Sequence, residues 1–323
     1  MNAPEPLPAR RSSREFVPAG GLDWPLTVKR RQVLWRYIIS LSLMHLLALL
    51  VVLPWLFSWT GVVLFAVGVI FFGQGINLGY HRLLAHNSLA VPKWLERTLV
   101  YLALCTMQDT PVKWVTSHRH HHKFSDVQAD THSPLAGFLW SHMGWLFVHN
   151  SATRGVLAYK TYAHDLVDEP FYRQLERDWR LPVAVYLAHA LLFYLVGLAI
   201  GWIGSGTFMG GVQLGLSYLV WGVILRTVVV WHITWSINSL THLFGYRTYA
   251  TRENSRNNWL LGFIASGEGW HNNHHHDSAS ASNQHRWWEF DLTYYVICAL
   301  EKLGLATKVI RPRAQRHAAR EQA

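Results

Sequence analysis

The sequence predicts an all-α integral membrane protein, in which four transmembrane helices form two hairpins beneath a helical cytoplasmic cap that holds a histidine-rich site for two metal ions. Three observations predict this architecture. Two long windows, residues 37–81 and 181–225, contain no Asp, Glu, Lys or Arg. Nine of the 20 histidines lie in three short clusters and a tenth at an isolated position, each just beyond an apolar stretch. Basic residues are absent from the turns expected inside both windows.

Each charge-free window is long enough for two spans and a turn, because one span needs about 20 apolar residues. Helix breakers stand where the turns are expected: Pro54 with residues 58–61 in the first window, and the glycines of residues 204–206 and 210–211 in the second. A core hairpin of a large soluble protein is the alternative, but such helices keep a charged outer stripe that neither window has. We therefore expect spans at about residues 37–57, 61–79, 183–203 and 212–235.

The distribution of basic residues predicts the orientation of the spans. Neither turn carries Lys or Arg, whereas the N-terminal segment, the middle segment and the tail carry nearly all of them. The positive-inside rule places those three segments in the cytoplasm. We therefore expect a multi-pass protein of a bacterial cytoplasmic membrane, with both termini and every histidine cluster on the cytoplasmic side.

The regions around the spans complete the domain organisation. Residues 1–32 are expected to be a mobile basic segment, residues 33–310 a single membrane domain, and residues 311–323 a disordered basic tail. Residues 94–107 are mostly apolar but interrupted, which predicts a helix lying in the membrane interface. Residues 138–148 predict a further apolar helix.

Charge and cysteine content exclude two classes of protein. The net charge of +10 does not indicate nucleic-acid binding, because basic residues such as Lys29 and Arg36 flank spans, where anionic membrane lipids account for them. No nucleic-acid motif is present. Cys105 and Cys298 are the only cysteines and neither belongs to a CxxC motif, so no disulfide scaffold or cysteine metal site is expected.

The histidine clusters carry the chemistry. They are HRLLAH at residues 81–86, HRHHH at residues 118–122 and HNNHH at residues 271–275, with His242 between the last two. Imidazole binds Fe, Zn, Cu and Ni, so this many rings with few carboxylates or thiolates nearby predict more than one redox-capable metal ion. Solvated surface histidines or a zinc-buffering tract are the alternatives.

Spacing favours a metal site over those alternatives. The second and third clusters each contain three histidines at i, i+3 and i+4, which places each triplet on one helical face. His81 and His86 differ, because five residues separate them by about 140° on an ideal helix. These two rings can meet one ion only across a helix end or kink.

With these motifs the chain resembles an integral-membrane fatty acyl desaturase of the stearoyl-CoA (delta-9) type. The resemblance covers residues 37–309 and includes NSLTH at residues 238–242 and GEGWHNNHH at residues 267–275. It implies two iron ions, O2 as co-substrate, and an iron-oxo oxidant that inserts a cis double bond, expected at delta-9, into a saturated acyl chain carried on CoA or a lipid. Matched motif by motif, it implies these metal ligands, which we expect to divide as five and four: His81, His86, His118, His121, His122, His242, His271, His274 and His275.

The surroundings of the metal site can be predicted in outline. The resemblance implies that Asn238 reaches an iron through water. Asp126, Asp130, Glu268 and Asp277 are candidates to orient imidazoles through the outer ring nitrogen, or else are solvated surface acids. The family places the acyl chain in a narrow apolar tunnel. Candidates for its wall, with ordinary core packing as the alternative, are Trp114, Trp140, Trp145, Trp235, Trp259 and Trp270.

Other polar residues receive simpler interpretations. Within the spans, His45, His189 and His232 are expected to bond to neighbouring helices, and Arg226 to snorkel or to pair with a carboxylate in the cap. His120 is expected to be exposed and His276 not to bind metal. The glycine-rich GQGINLG sequence at residues 73–79 is expected to pack helices closely.

Electron supply and substrate are less constrained. No haem module, dinucleotide loop or iron–sulfur run is present, so a separate ferredoxin, rubredoxin or cytochrome b5-like donor is expected. Thr116 and Ser117 replace the Arg-Asp pair of animal acyl-CoA enzymes, which leaves acyl-lipid and acyl-carrier-protein substrates open beside acyl-CoA. Two other functions are alternatives to a desaturase. A di-iron membrane alkane or fatty-acid hydroxylase is the nearer alternative, although it typically has three rather than four residues between its first two histidines. A metal transporter or sensor is the more distant one.

Overall fold

The computed structural model describes residues 21–316, so the mobility predicted for residues 1–20 and 317–323 lies outside the described residues. Within them the chain is mostly helical, with two short strands, β1 Val28–Val33 and β2 Val148–Asn150. In chain order, the helices are α1 Trp35–Val52, α2 Trp59–Ala85, α3 Lys93–Leu104, α4 Pro111–Phe124, α5 Phe138–His142, α6 Val156–Tyr162, α7 His164–Val167, α8 Pro170–Arg177, α9 Arg180–Ser205, α10 Phe208–His242, α11 Trp259–Ile264, α12 His271–His276 and α13 Leu292–Lys302.

Four of these helices, α1, α2, α9 and α10, are long and apolar enough to cross a membrane, as predicted. Their ends differ from the expected bounds. Helix α1 finishes at Val52, shortly before Pro54, whose ring disfavours helical backbone in the residue that precedes it. Helices α2 and α10 continue past the apolar layer to Ala85 and His242, so each carries histidines out of its own span.

Small residues allow the spans to approach closely. A Cβ added to Gly197 in α9 would lie 2.8 Å from the Cα atom of Gly215 in α10. One added to Gly75, within the GQGINLG sequence, would lie 2.7 Å from the carbonyl carbon of Leu102 in α3. The expected role of that glycine-rich sequence in close helix packing is confirmed.

Two parts of the cap differ from expectation because a non-local strand pair forms. Strand β1 runs antiparallel to β2, with Val28 opposite Asn150. Residues 28–32 are therefore part of a sheet rather than mobile. The single apolar helix expected at residues 138–148 is divided into α5, a 3₁₀ turn at Gly144–Phe147 and β2, since its last residue pairs with a strand more than 100 positions away.

The first residues of the expected disordered tail are also held in place. Arg311 donates to the hydroxyl of Tyr294 at 2.8 Å, and Arg316 pairs with Asp277 at 2.8 Å. Helix α3 covers most of the expected interfacial helix and ends at Leu104. A turn then follows in which Met107 and Asp109 adopt positive φ angles of 53° and 70°, and this turn leads into α4, the helix that carries the second histidine cluster.

Candidate metal centre

Nine histidine side chains from α2, α4, α10 and α12 meet in the cap. They form two adjoining groups, and within each group one nitrogen of every ring lies within 4.8 Å of the corresponding nitrogens of the others. The division is the five and four expected from the sequence. The first group consists of His81, His86, His118, His122 and His274, and the second of His121, His242, His271 and His275.

The end of α2 brings the first two histidines together. Its last segment, Gly75–Ala85, is a π-helix, with hydrogen bonds from residue i+5 to residue i. The amide of His86 donates to the carbonyl of His81 at 3.1 Å. Five residues therefore make about one turn here, and the two ring centroids are 4.8 Å apart. The kink that the spacing required is this widened turn.

Helices α4 and α12 each supply histidines to both groups. Although each triplet lies on one helical face, its members separate: His121 joins the second group, while His118 and His122 join the first. In α12, His274 joins the first group and its two companions join the second. Helices α4 and α12 thus each contribute histidines to both groups. This shared contribution holds the two candidate metal positions next to each other.

The inner ring nitrogens face one another at hydrogen-bond distance. Nε2 of His274 lies 3.1 Å from Nε2 of His81 and 2.9 Å from Nε2 of His122. In the second group, Nε2 of His271 lies 3.1 Å from Nε2 of His242, while Nε2 of His121 is buried without a hydrogen-bond partner.

Carboxylates contact the outer nitrogen, Nδ1, of four of these rings. The pairs are Glu268 with His81 at 2.8 Å, Asp130 with His121 at 2.9 Å, Asp126 with His242 at 2.8 Å, and Glu253 with His275 at 3.7 Å. Because an ionised carboxylate only accepts hydrogen bonds, Nδ1 carries the ring hydrogen and the lone pair of Nε2 points into the group. Three such lone pairs converge in the second group and one enters the first, and this set of nitrogen donors fits a bound metal ion in each group.

Burial keeps the rings carried by α4 and α12 in the neutral form that binds metals. Burial lowers the pKa of His121 to about 3, and that of His118 and His274 well below the usual value. Burial alone would raise the pKa of Glu268, but the charges of Arg82 and His81 lower it to about 2. Burial raises the pKa of Asp130 to about 6. Glu268 is therefore a fixed anion beside the first group.

Similarity to known sequences places this chain in a family. The model of the fatty acid desaturase family matches residues 53–302. An sn-2 palmitoyl-lipid 9-desaturase of Nostoc sp. (strain 36) is 40% identical over 281 residues, which cover 86% of this chain and 91% of the relative. The chain belongs to the fatty acid desaturase family. It is an oxidoreductase that desaturates fatty acyl chains, and these matches do not favour a hydroxylase.

Two further relatives of the desaturase differ in the acyl carrier that their names give. An sn-1 stearoyl-lipid 9-desaturase of Anabaena variabilis is 39% identical over 287 residues, covering 88% of this chain and 96% of the relative. An acyl-CoA 5-desaturase of Anemone leveillei is 38% identical over 303 residues, covering 90% and 86%. The family therefore includes both lipid and CoA carriers.

The desaturase has three adjoining cavities that lead away from the histidines. The inner cavity, of about 490 Å³, is lined by both histidine groups and by Ile233. It shares Trp114 and Asn238 with a middle cavity of about 780 Å³. The middle cavity shares Tyr37 and Lys113 with an outer cavity of about 1230 Å³ that lies between the first residues of α1 and α9.

The tryptophans expected to line a substrate tunnel divide into three sets. Trp114, Trp145 and Trp235 line the middle cavity, and Trp114 stacks on His118 with 4.9 Å between ring centroids. Trp259 is 66% exposed on α11 and lines none of these three cavities, so its place in a tunnel wall stays a prediction. The other two fill the packed interior: Trp140 stacks on Trp24, and Trp270 donates to the carbonyl of Phe290.

Arg82 was missed in the sequence, although it lies inside the first histidine cluster. Its guanidinium is buried and donates to Glu268 at 2.8 Å and to Asp291 at 2.9 Å. It thereby holds the carboxylate that orients His81. Glu253, which approaches His275, was missed as well. Asp277 was expected in this role, but it binds Arg316 instead of an imidazole.

Among the remaining histidines and Arg226, one prediction from the sequence agrees with the structure and two differ from it. His45, His232 and His189 bond across helices as expected. His120 is buried instead of exposed and bonds to Thr131, while its ring remains outside both groups.

Arg226 neither snorkels nor pairs with a carboxylate in the cap. It is fully buried, and its guanidinium bonds to neutral groups: the carbonyls of Gly222 and Cys105 and the ring of His189. The carbonyls offer the negative end of a peptide dipole, which is why the charge needs no carboxylate there.

Proposed function

We propose that this desaturase uses O2 and two iron ions to insert a cis double bond at position 9 of a saturated acyl chain esterified to a membrane glycerolipid. The nine clustered histidines hold the iron, five in one group and four in the other. Membership of the fatty acid desaturase family gives the class of reaction. The acyl carrier, the position of the double bond and the identity of the metal are what we propose.

One observation favours a lipid over acyl-CoA as the substrate. The outer cavity is lined by Arg36 and Ser40 of α1 and by Trp179 and Val183 at the start of α9, and we infer that it opens there. Trp179 is 65% exposed, and α1 and α9 are both apolar enough to span the membrane. An acyl chain can enter at such an opening from the lipid layer while its headgroup stays at the interface.

The histidine groups fit iron and the chemistry that iron supplies. Bound iron would provide the O2-dependent oxidation that removes two hydrogens from an unactivated chain, which no side chain can perform. Neutral imidazoles suit iron among the redox metals. The carboxylates of Asp126, Asp130 and Glu268 fix the ring orientation through Nδ1.

Other residues of the cavities position the chain and keep water out. The flat ring of Trp114 covers His118 and forms a wall of both the inner and the middle cavity. Asn238 lines the same two cavities at the end of α10, where its carboxamide is available to hold a water beside the site. The acyl chain is therefore expected to pass between Trp114 and Asn238.

The topology and electron supply follow from charge. Basic segments flank the spans, which supports termini and histidines on the cytoplasmic side of a bacterial membrane. Electrons come from a separate ferredoxin, rubredoxin or cytochrome b5-like protein, for which the basic face offers charge complementarity.

The decisive experiment compares the two acyl carriers, glycerolipid and CoA, directly. Purified protein loaded with iron is reconstituted in vesicles with a ferredoxin and its reductase, and receives either stearoyl-labelled glycerolipid or stearoyl-CoA. Mass spectrometry then follows the loss of two mass units in each pool and locates the double bond. We expect the product in the lipid, at position 9. Product confined to the CoA pool would overturn the carrier, and a gain of sixteen mass units would overturn the reaction.

A further inference from the structure

A polar cluster lies where the middle and outer cavities meet. The hydroxyl of Tyr37 donates to the carboxylate of Asp109 at 2.8 Å and accepts from Nη1 of Arg154 at 2.8 Å. Nζ of Lys113 lies 3.3 Å from Glu176 and 3.7 Å from Asp109. Tyr37, Asp109 and Lys113 line both cavities, so this cluster lies at the boundary between them.

The charges of the cluster balance. The cations of Lys113 and Arg154 face the carboxylates of Asp109 and Glu176, so the sum is zero. The cluster itself therefore gives no net attraction to a polyanion such as CoA, and Arg36, which also lines the outer cavity, lies outside it. It does offer oriented donors, which suit a neutral acceptor such as an ester carbonyl.

Lys113 is the residue of the cluster best placed to bind a ligand. An ammonium has three donors, and its distances to the two carboxylates are long for charge-assisted hydrogen bonds. Its side chain is 16% exposed, toward the cavities that it lines. At least one donor therefore remains for a ligand atom.

The position of Lys113 on α4 corresponds to a definite length of acyl chain. His118 follows it by five residues, or about 7.5 Å along the helix axis. Eight carbon–carbon bonds of about 1.5 Å separate C1 from C9, and in a zigzag chain they span roughly 10 Å. Because Lys113, Trp114 and His118 all line the middle cavity, a carbonyl held by the flexible Lys113 side chain would place carbons 9 and 10 beside the first histidine group, with Trp114 alongside the chain between them.

We propose that Lys113 binds the ester carbonyl of the lipid substrate and so fixes how many carbons separate the ester from the oxidation site. This inference rests on the proposed acyl-lipid function. The enzyme then counts from the carboxyl end, because the chain is held at its ester and not by its methyl terminus.

Binding to the metal-free protein tests the contact without catalysis. The probes are a stearoyl glycerolipid and its alkyl ether analogue, which lacks the carbonyl. Wild-type protein should bind the ester about tenfold more tightly than the ether, since a hydrogen bond from a charged donor accounts for about that ratio. Lys113→Met should bind both equally, and Lys113→Arg should restore the preference. Equal binding of both probes by the wild type would overturn the proposal.

Product analysis provides a second, independent readout. With Lys113→Met we expect the double bond to spread over neighbouring positions, whereas Lys123→Met, an exposed lysine on the same helix, should give the wild-type pattern. A lysine needed only for folding would lower the amount of product without moving the double bond, and that result would contradict the proposal.

Chain length tests the inference even where a variant fails to fold. Wild-type protein acting on palmitoyl and stearoyl glycerolipid should give the same position counted from the ester. A constant position counted from the methyl end would overturn the role of Lys113. Product in CoA alone would instead overturn the proposed carrier, so the two failures are distinguishable.

Discussion

Asp126 accepts a hydrogen bond from Nδ1 of His242 at 2.8 Å, although the two residues are 116 positions apart in the chain. The same carboxylate accepts from Ser133 and from the amide of Asn254. One acid thus connects the loop after α4 to the segment after α10, and it orients the only metal-ligand candidate that α10 contributes.

The first prediction concerns this contact. Asp126→Asn removes the charge and allows the amide to donate to His242, which favours the wrong ring tautomer. We expect metal affinity at the second histidine group to fall by about 10–100-fold, as is usual when an outer carboxylate is lost. Elemental analysis of protein dialysed against dilute iron measures it. Asp277→Asn is the control, because Asp277 binds Arg316, and an equal loss in both variants would contradict the assignment.

The second prediction tests the two groups separately. His274→Ala removes a ligand from the first group and His121→Ala removes one from the second, so each variant should lose bound iron and form no double bond while still inserting in the membrane. His120→Ala is the matched control: this ring is also buried on α4 but bonds to Thr131. Desaturation by either ligand variant, or iron loss in the control, would refute the grouping.

Much of this architecture was accessible from the sequence because it depends on local periodicity. The four spans follow from missing charge, and the histidine triplets follow from the helical repeat. The joining of His81 with His86 could be stated only as a need for a kink, and the π-helix that provides it begins at Gly75, where the chain packs against α3. The i, i+3, i+4 spacing gave a shared face but not its division between two groups.

Contacts between residues far apart in the chain could not be predicted from the sequence, for a different reason. The pairing of Arg82 with Asp291 spans 209 positions, and that of β1 with β2 spans more than 100. Neither leaves a local pattern. Arg226 was misjudged because a buried cation was expected to need a carboxylate, whereas carbonyl groups at the end of α3 and in α10 satisfy it.

The third prediction follows from those bonds of Arg226. Arg226→Met leaves the carbonyl of Cys105 and the ring of His189 buried without a donor, which costs about 1–3 kcal/mol per unsatisfied group. We expect a lower thermal unfolding temperature in detergent. Arg180→Met is the control, since the side chain of Arg180 is 75% exposed and its ion pair contributes little. Equal stability of the two variants would show that the buried bonds of Arg226 add nothing.

The last prediction concerns a row of three imidazoles that joins α1, α10 and α5. Nδ1 of His45 donates to the carbonyl of Leu41, so its Nε2 accepts from Nε2 of His232, whose Nδ1 in turn accepts from His142. All three rings are then neutral, in one arrangement of their hydrogens. His232→Ala breaks two of these bonds and should destabilise the fold by about 1–3 kcal/mol, whereas His164→Ala, at an exposed position, should have little effect. Because the bonds are shared, adding His45→Ala to His232→Ala should cost less than the sum of the single changes. Thermal unfolding of the four variants measures this, and strict additivity would show that the rings act independently.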